Sequence, residues 1–294
     1  MKVFRRILCP IDFSEYSQKA LRCALSIAKH YGANLRALHV VELWRHPSAF
    51  YAPSPALSEW LVQLRAKGNE KLLEFVRAQN LTACDVESAV VEGIAPDAIL
   101  AAAHENEADL IVMGTHGRRG FDRLMIGSVA ERVIRYANCP VLTVRVEPSG
   151  NASHGDHEET TRPKQFLYCT DFSESSLSAL NCALSLTRQY DAALTLLNVV
   201  EENAGTSDLN EALKRSEEEL DRLVPVEWLG ARKVRLAVRA GKPYLQIAQL
   251  AAELRADLAV MAVRNRSATD LSVFGSTTHR MIQLGPCPVL VVRA

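Results

Sequence analysis

The residues best suited to chemistry crowd into one stretch, 109–128, which reads DLIVMGTHGRRGFDRLMIGS. Gly114 and Gly117 stand three apart, Gly120 follows, and Gly127-Ser128 closes the stretch. Glycines let a backbone approach an anion with no Cβ in the way. Arg118, Arg119 and Arg123 can neutralise phosphate charge without supplying a nucleophile. The segment SVAERVIRYAN that follows reads as a helix with Ser128 at its N-cap and Glu131 placed to close a capping box. The N–H groups and dipole of such a helix start favour an anion. The chemistry this predicts is a phosphate cradle. It lacks the G-K-[ST] of a P-loop, a carboxylate pair reserved for Mg2+, and a Ser/His/Asp signature. His116 is the only histidine of the loop, read as a base, a phosphate or ribose neighbour, or a solvent-facing side chain. No catalytic residue and no protein-held metal are expected, and retention of a nucleotide with at most slow hydrolysis follows.

These residues need a scaffold, and the apolar periodicity supplies one. Strands are expected at 7–11, 35–41, 86–91, 110–113 and 141–146, and helices at 14–31, 58–79, 96–106 and from 128. The proline-rich stretch 45–58 reads as a surface loop. Strands alternating with helices predict an α/β fold, a doubly wound five-stranded parallel sheet in the order 3-2-1-4-5. Ligands bind such sheets beyond the strands' carboxyl ends, where the winding reverses. Pro10, Ile11 and Asp12 end the first strand there and Gly114 ends the fourth. Asp12 would accept from ribose hydroxyls or cap the helix at Ser14, and the backbone of His39 to Val41 would meet a base edge.

The scaffold occurs twice. Residues 11–42 align without a gap with 170–201, and later Gly93, Gly127-Ser128 and CPVLTVR match Gly241, Gly275-Ser276 and CPVLVVR. The expected domains are 1–147 and 164–294, joined by a polar linker, 148–163. His154 and His157 in the linker carry little weight as metal ligands. The last strand of each copy would be a long apolar edge, which invites pairing. An intrachain pseudo-dimer through the two last strands is therefore expected, and the sequence leaves a further homodimer of the whole chain open.

The pattern G-x2-G-x9-G-[ST], together with PIDFSE and the terminal CPVLTVR, resembles the universal stress protein family in its tandem-domain form, over nearly the whole chain outside the linker. The resemblance implies an adenine-nucleotide alpha hydrolase-like fold and binding of ATP, with Mg2+ arriving on the nucleotide. It places Pro10, Ile11 and Asp12 at the nucleoside and the Val40 backbone at the adenine. Gly114, Thr115, His116, Gly117, Arg118, Arg119 and Gly120 would line the ribose and phosphates, and Gly127, Ser128, Val129 and Ala130 would donate from the helix start. It also implies a stress-response sensor or regulator, with dimer-like pairing through the last strand. The second copy departs from the pattern: Asp171, Gly275 and Ser276 remain, but Ala262 and Asn265 replace Gly114 and Gly117. With a methyl expected where a sugar would approach, that site reads as degenerate, a scaffold.

Composition narrows the classes. The chain has 294 residues, with 34 basic against 34 acidic, so neither nucleic acid nor a membrane surface is an expected partner. No apolar run reaches a membrane span, and the N-terminus reads as a strand rather than a signal peptide. Seven cysteines without C-x-x-C pairing suit small buried hydrophobes in a reducing cytoplasm, with Cys84 and Cys169 the only redox candidates. Two other classes compete with nucleotide retention. One is a slow ATP hydrolase or related enzyme, although the S-G-G-x-D and H-x-G-H signatures of nucleotidyl transferases and pyrophosphatases are missing. The other is an interaction scaffold that has lost its nucleotide.

Overall fold

The structure, a computed structural model, describes residues 4–42, 55–79, 85–116, 125–145, 162–201, 209–225, 228, 233–263 and 275–293. Gly117, Arg118, Arg119, Gly120, Arg123 and Asn265, with Cys84, most of the linker and most of 45–58, lie outside the described residues. The chain forms two compact units, Met1–Thr160 and Thr161–Ala294.

The first unit runs β1 (Arg6–Pro10), α1 (Glu15–Tyr31), β2 (Asn34–Val41), α2 (Pro55–Arg77), β3 (Val86–Glu92), α3 (Ala95–Glu105), β4 (Leu110–Gly114), α4 (Ser128–Tyr136) and β5 (Val141–Val144). All neighbouring strands are parallel, in the order β3-β2-β1-β4-β5. Ile7 pairs with Leu35 on one side and Leu110 on the other, so β1 is the central strand at which the winding reverses. The core follows from the sequence. The three central residues of β1 and the first four of β4 are buried, as in a sheet covered on both faces. Helix α1 covers them with Ala20, Leu21, Ala24, Leu25 and Ala28. Helix α2 starts at Pro55, inside the segment expected to be loop. Proline is well tolerated in a first helical turn, where its missing N–H has no partner to lose.

The second unit repeats the plan with β6 (Gln165–Thr170), α5 (Glu174–Tyr190), β7 (Ala193–Val200), α6 (Leu209–Leu223), β8 (Val234–Ala240), α7 (Pro243–Leu254), β9 (Leu258–Val263), α8 (Ser276–Leu284) and β10 (Val289–Arg293). Its strands are parallel in the order β8-β7-β6-β9-β10.

Two devices set the central strands, and neither was visible in the apolar pattern. The Asp109 carboxylate accepts from the Arg5 N–H at 2.7 Å and the Arg6 N–H at 3.0 Å, tying the start of β4 to the start of β1. Asp257 does the same for the second unit, accepting from Lys164 at 2.7 Å and Gln165 at 2.9 Å. After β1 the chain turns through Phe13, which holds a left-handed φ of 66°, and Phe172 repeats this at 59°. A non-glycine residue tolerates that region only when its surroundings hold it there. The Phe13 ring is held by His39, at 4.4 Å between ring centres, by Phe75 at 5.5 Å and by the Lys71 ammonium at 4.3 Å.

Candidate nucleotide-binding cleft

Beyond the carboxyl ends of β1 and β4 lies a cleft of about 470 Å3. Pro10, Ile11, Asp12, Val40, Gly114, Thr115, His116, Gly127, Ser128, Val129 and Ala130 all line it. The structure thus brings together every described residue singled out for the first site in the sequence.

Each element delivers its part for a local reason. The Phe13 turn sends Asp12 to the rim, where its Oδ1 accepts from the Ser14 N–H at 3.0 Å and the Ser14 hydroxyl at 2.6 Å. Ser14 is the true N-cap of α1, its Oγ accepting from the Ser17 N–H at 3.2 Å. Asp12 therefore orients the cap rather than serving as one. His39 Nδ1 lies 2.8 Å from the Ile11 carbonyl, and the Ile11 N–H donates to the Leu38 carbonyl at 2.7 Å. These bonds fix the end of β1 against β2 beside Val40.

The opposite wall is the start of α4, and here the expected cap is corrected. The N-cap is Gly127, with φ −62° and ψ 140°, and it makes no side-chain capping bond. Ser128 is the first helical residue, so its side chain is one position too late to cap, and Glu131 is not at the capping-box position. The first-turn N–H groups of Ser128, Val129 and Ala130 have no acceptor within the helix and open at the cleft. Gly127 is tied to β4 by its N–H, which donates to the Thr115 carbonyl at 2.8 Å.

The loop side differs in detail from a set of donors. The Thr115 N–H already donates to the Val144 carbonyl at 3.1 Å, and its fully buried hydroxyl sits 2.8 Å from His116 Nδ1. His116 is buried against Tyr16, 5.0 Å between ring centres, and its Nε2 has no hydrogen bond of ordinary geometry among the described residues. Burial first, then the positive charge of Arg145, lower its pKa against the opposing pull of the Met125 backbone. It is thus neutral at pH 7, and neither solvent-facing nor a ready source of positive charge.

Gly114 needs its hydrogen for a reason other than a ligand. A Cβ there would stand 2.6 Å from Tyr16 Cβ and 3.0 Å from the Tyr16 carbonyl carbon, so it would strike α1. Its φ is not positive. The glycine permits close helix–strand packing in the first unit. That side of the strand faces a helix.

Sequence reasoning missed the apolar wall. Leu38, Ile99, Met113, Met125 and Ile126 line the cleft, with Glu42 at its rim. Gly93, at a φ of 146°, was a usable signal: it is the turn that aims the start of α3 at the cleft, and Gly241 repeats it at 127°. In the second unit, Asp171, Ala262, Gly275 and Ser276 line a second cavity of about 480 Å3. Among the described cysteines, burial pushes the thiols of Cys23, Cys139, Cys182 and Cys287 up to about 12, and those of Cys9 and Cys169 higher still, which disfavours the reactive thiolate. Among the described residues no group of three or more His, Cys, Asp or Glu side chains is placed to hold a metal. Among them, too, no helix is long and apolar enough to cross a membrane.

Known proteins share this plan. The universal stress protein MJ0531 of Methanocaldococcus jannaschii is 35% identical over 146 residues, 49% of this chain and 83% of that protein. A universal stress protein of Thermus aquaticus is 34% identical over 146 residues, 49% of this chain and all of that one. Among solved structures, a universal stress protein from Archaeoglobus fulgidus matches 98% of this chain and 96% of its own, with a TM-score of 0.69 at 21% identity, a likeness of fold. The model of the universal stress protein family matches twice, over residues 4–145 and 163–293, and with one family domain in each half the chain belongs to the universal stress protein family.

Proposed function

We propose that the first unit binds ATP, or a related adenine nucleotide, and that the protein acts in the cytoplasm as a stress-response sensor or regulator with little or no turnover. The observation that carries this reading is the uncapped first turn of α4 opening into a cleft whose other wall is apolar. A base would lie against Leu38, Ile99 and Ile126, the carboxylate of Asp12 would meet the ribose, and the N–H groups of Ser128, Val129 and Ala130 would take the phosphates. Gly117, Arg118, Arg119 and Gly120 complete the proposed phosphate side. Mg2+ would come with the nucleotide. Binding rather than turnover is favoured because Asp12 is engaged with Ser14 and His116 is enclosed beside Thr115 and Tyr16.

The test is mass spectrometry of small molecules released on denaturing the purified chain, with calorimetry of ATP addition. Release of an adenine compound and a heat of binding are expected. Neither one, at millimolar ATP, would remove the reading. We further propose that β5 and β10, each last in the order of its own sheet and apolar throughout its centre, pair within the chain. Amide exchange in both strands should then be as slow as in β4 and β9. Fast exchange at alternate residues would show an open edge instead.

A further inference from the structure

The second cavity has kept its size while changing its surface. It measures about 480 Å3 against about 470 Å3 in the first unit. Where the first is lined by Ile11 and His39, the second has Thr170 and Asn198, and Ser175, at the position of Tyr16, lines the second cavity as well. Where α4 begins Ser-Val-Ala, α8 begins Ser-Thr-Thr, with Thr277 and Thr278 in place of Val129 and Ala130. All five of these second-unit residues line the cavity.

The new polar groups are held in place rather than loose. The Thr170 hydroxyl donates to Ser176 Oγ at 3.0 Å, and the Ser176 hydroxyl donates to the Ser173 carbonyl at 2.6 Å. Asn198 Nδ2 donates to the Thr170 carbonyl at 2.8 Å, and its Oδ1 accepts from Ser216 at 2.8 Å. Asn198 and Thr170 are more than nine-tenths buried. A hydroxyl has one donor and two acceptor positions, and an amide nitrogen two donors, so a group already in a bond can still meet a ligand. The helix-start glycine is informative too. Gly275 has φ −52°, and a Cβ added there would meet nothing within 4 Å among the described residues. Neither strain nor crowding among the described residues demands glycine at that point of the cavity wall.

We propose that this second cavity is a binding site for a compact polyhydroxylated ligand of the pentose or hexose sugar class. Thr170, Asn198, Thr277 and Thr278 form a wall of donors and acceptors, while Leu197 and Ile247 keep the apolar positions of Leu38 and Ile99. A ring bearing several hydroxyls can donate to and accept from the same wall. The second half is thus a site of changed specificity, not an empty copy. This stands apart from the nucleotide reading of the first cleft.

The test is saturation-transfer NMR on the full chain with D-ribose and D-glucose as separate millimolar probes. Transfer to at least one sugar is expected, undiminished by saturating ATP. It should fall by roughly tenfold in Thr277→Val/Thr278→Ala, which removes two hydrogen-bonding hydroxyls and restores the first unit's residues. It should also fall in Gly275→Ala, whose methyl occupies cavity space while the fold remains stable. No transfer to either sugar, loss of transfer on adding ATP, or unchanged transfer in a folded variant would overturn the proposal. Failure of ATP binding in the first cleft would leave the sugar signal standing, so the two readings fail separately.

Discussion

Replacing Gly114 by alanine separates two explanations of the same glycine. The added Cβ would lie 2.6 Å from Tyr16 Cβ, with the Tyr16 carbonyl carbon at 3.0 Å and its oxygen at 3.1 Å. Carbon atoms pack at about 3.5–4.0 Å, so β4 and α1 must separate by roughly an ångström. Tyr16 meets the new methyl with backbone and Cβ, which cannot swing aside as a side-chain tip can. Overpacking of this kind costs about 1–3 kcal/mol. For a unit of this size each kcal/mol lowers Tm by about 2–4 °C, so a fall of roughly 2–12 °C is expected. The methyl points at the helix, so ATP affinity, measured by calorimetry below the melting range, should change much less than it would for a lost phosphate contact. An unchanged Tm together with a tenfold or greater loss of ATP binding would refute the packing argument and return the glycine to the ligand.

Three further perturbations test the frame around the cleft. Asp109→Ala removes the acceptor of two backbone N–H groups and should cost about 1–3 kcal/mol in the first unit, while Asp257→Ala does the same in the second; hydrogen exchange resolved by unit should show each loss confined to its own half. His116 has a depressed folded pKa, so its contribution is fully present above the unfolded value near 6.5 and is lost as pH falls through the folded value. His116→Gln should therefore flatten the decline of stability below about pH 6.5, and an unchanged slope in denaturant titrations would contradict this. Gly32 ends α1 at a φ of 58°, and the second unit places Asp191 at 55° in the same role. Gly32→Asn should thus be mild and Gly32→Val cost about 1–2 kcal/mol, which denaturant midpoints would separate.

The sequence by itself determined the repeated α/β alternation, the strand order and the location of the cleft, because these depend on periodicity, turn residues and the handedness of parallel crossovers. Burial of β1 and β4 on both faces was legible as continuous apolar runs. Local bonding geometry was less so. Ser128 looked like a cap, yet the helix begins one residue earlier, a distinction set by backbone angles at Gly127 rather than by residue type. Only the tertiary structure decided what each glycine is for. Among the described residues, Gly114 faces α1, whereas Gly275 faces open space, and no local pattern tells a glycine that admits a helix from one that leaves room for a ligand. The same holds for the cavity linings. Ile11 and Thr170, or His39 and Asn198, look like scattered differences between two copies in sequence, and they become one changed surface only where β1 and β2, or β6 and β7, carry them side by side to the same end of a sheet.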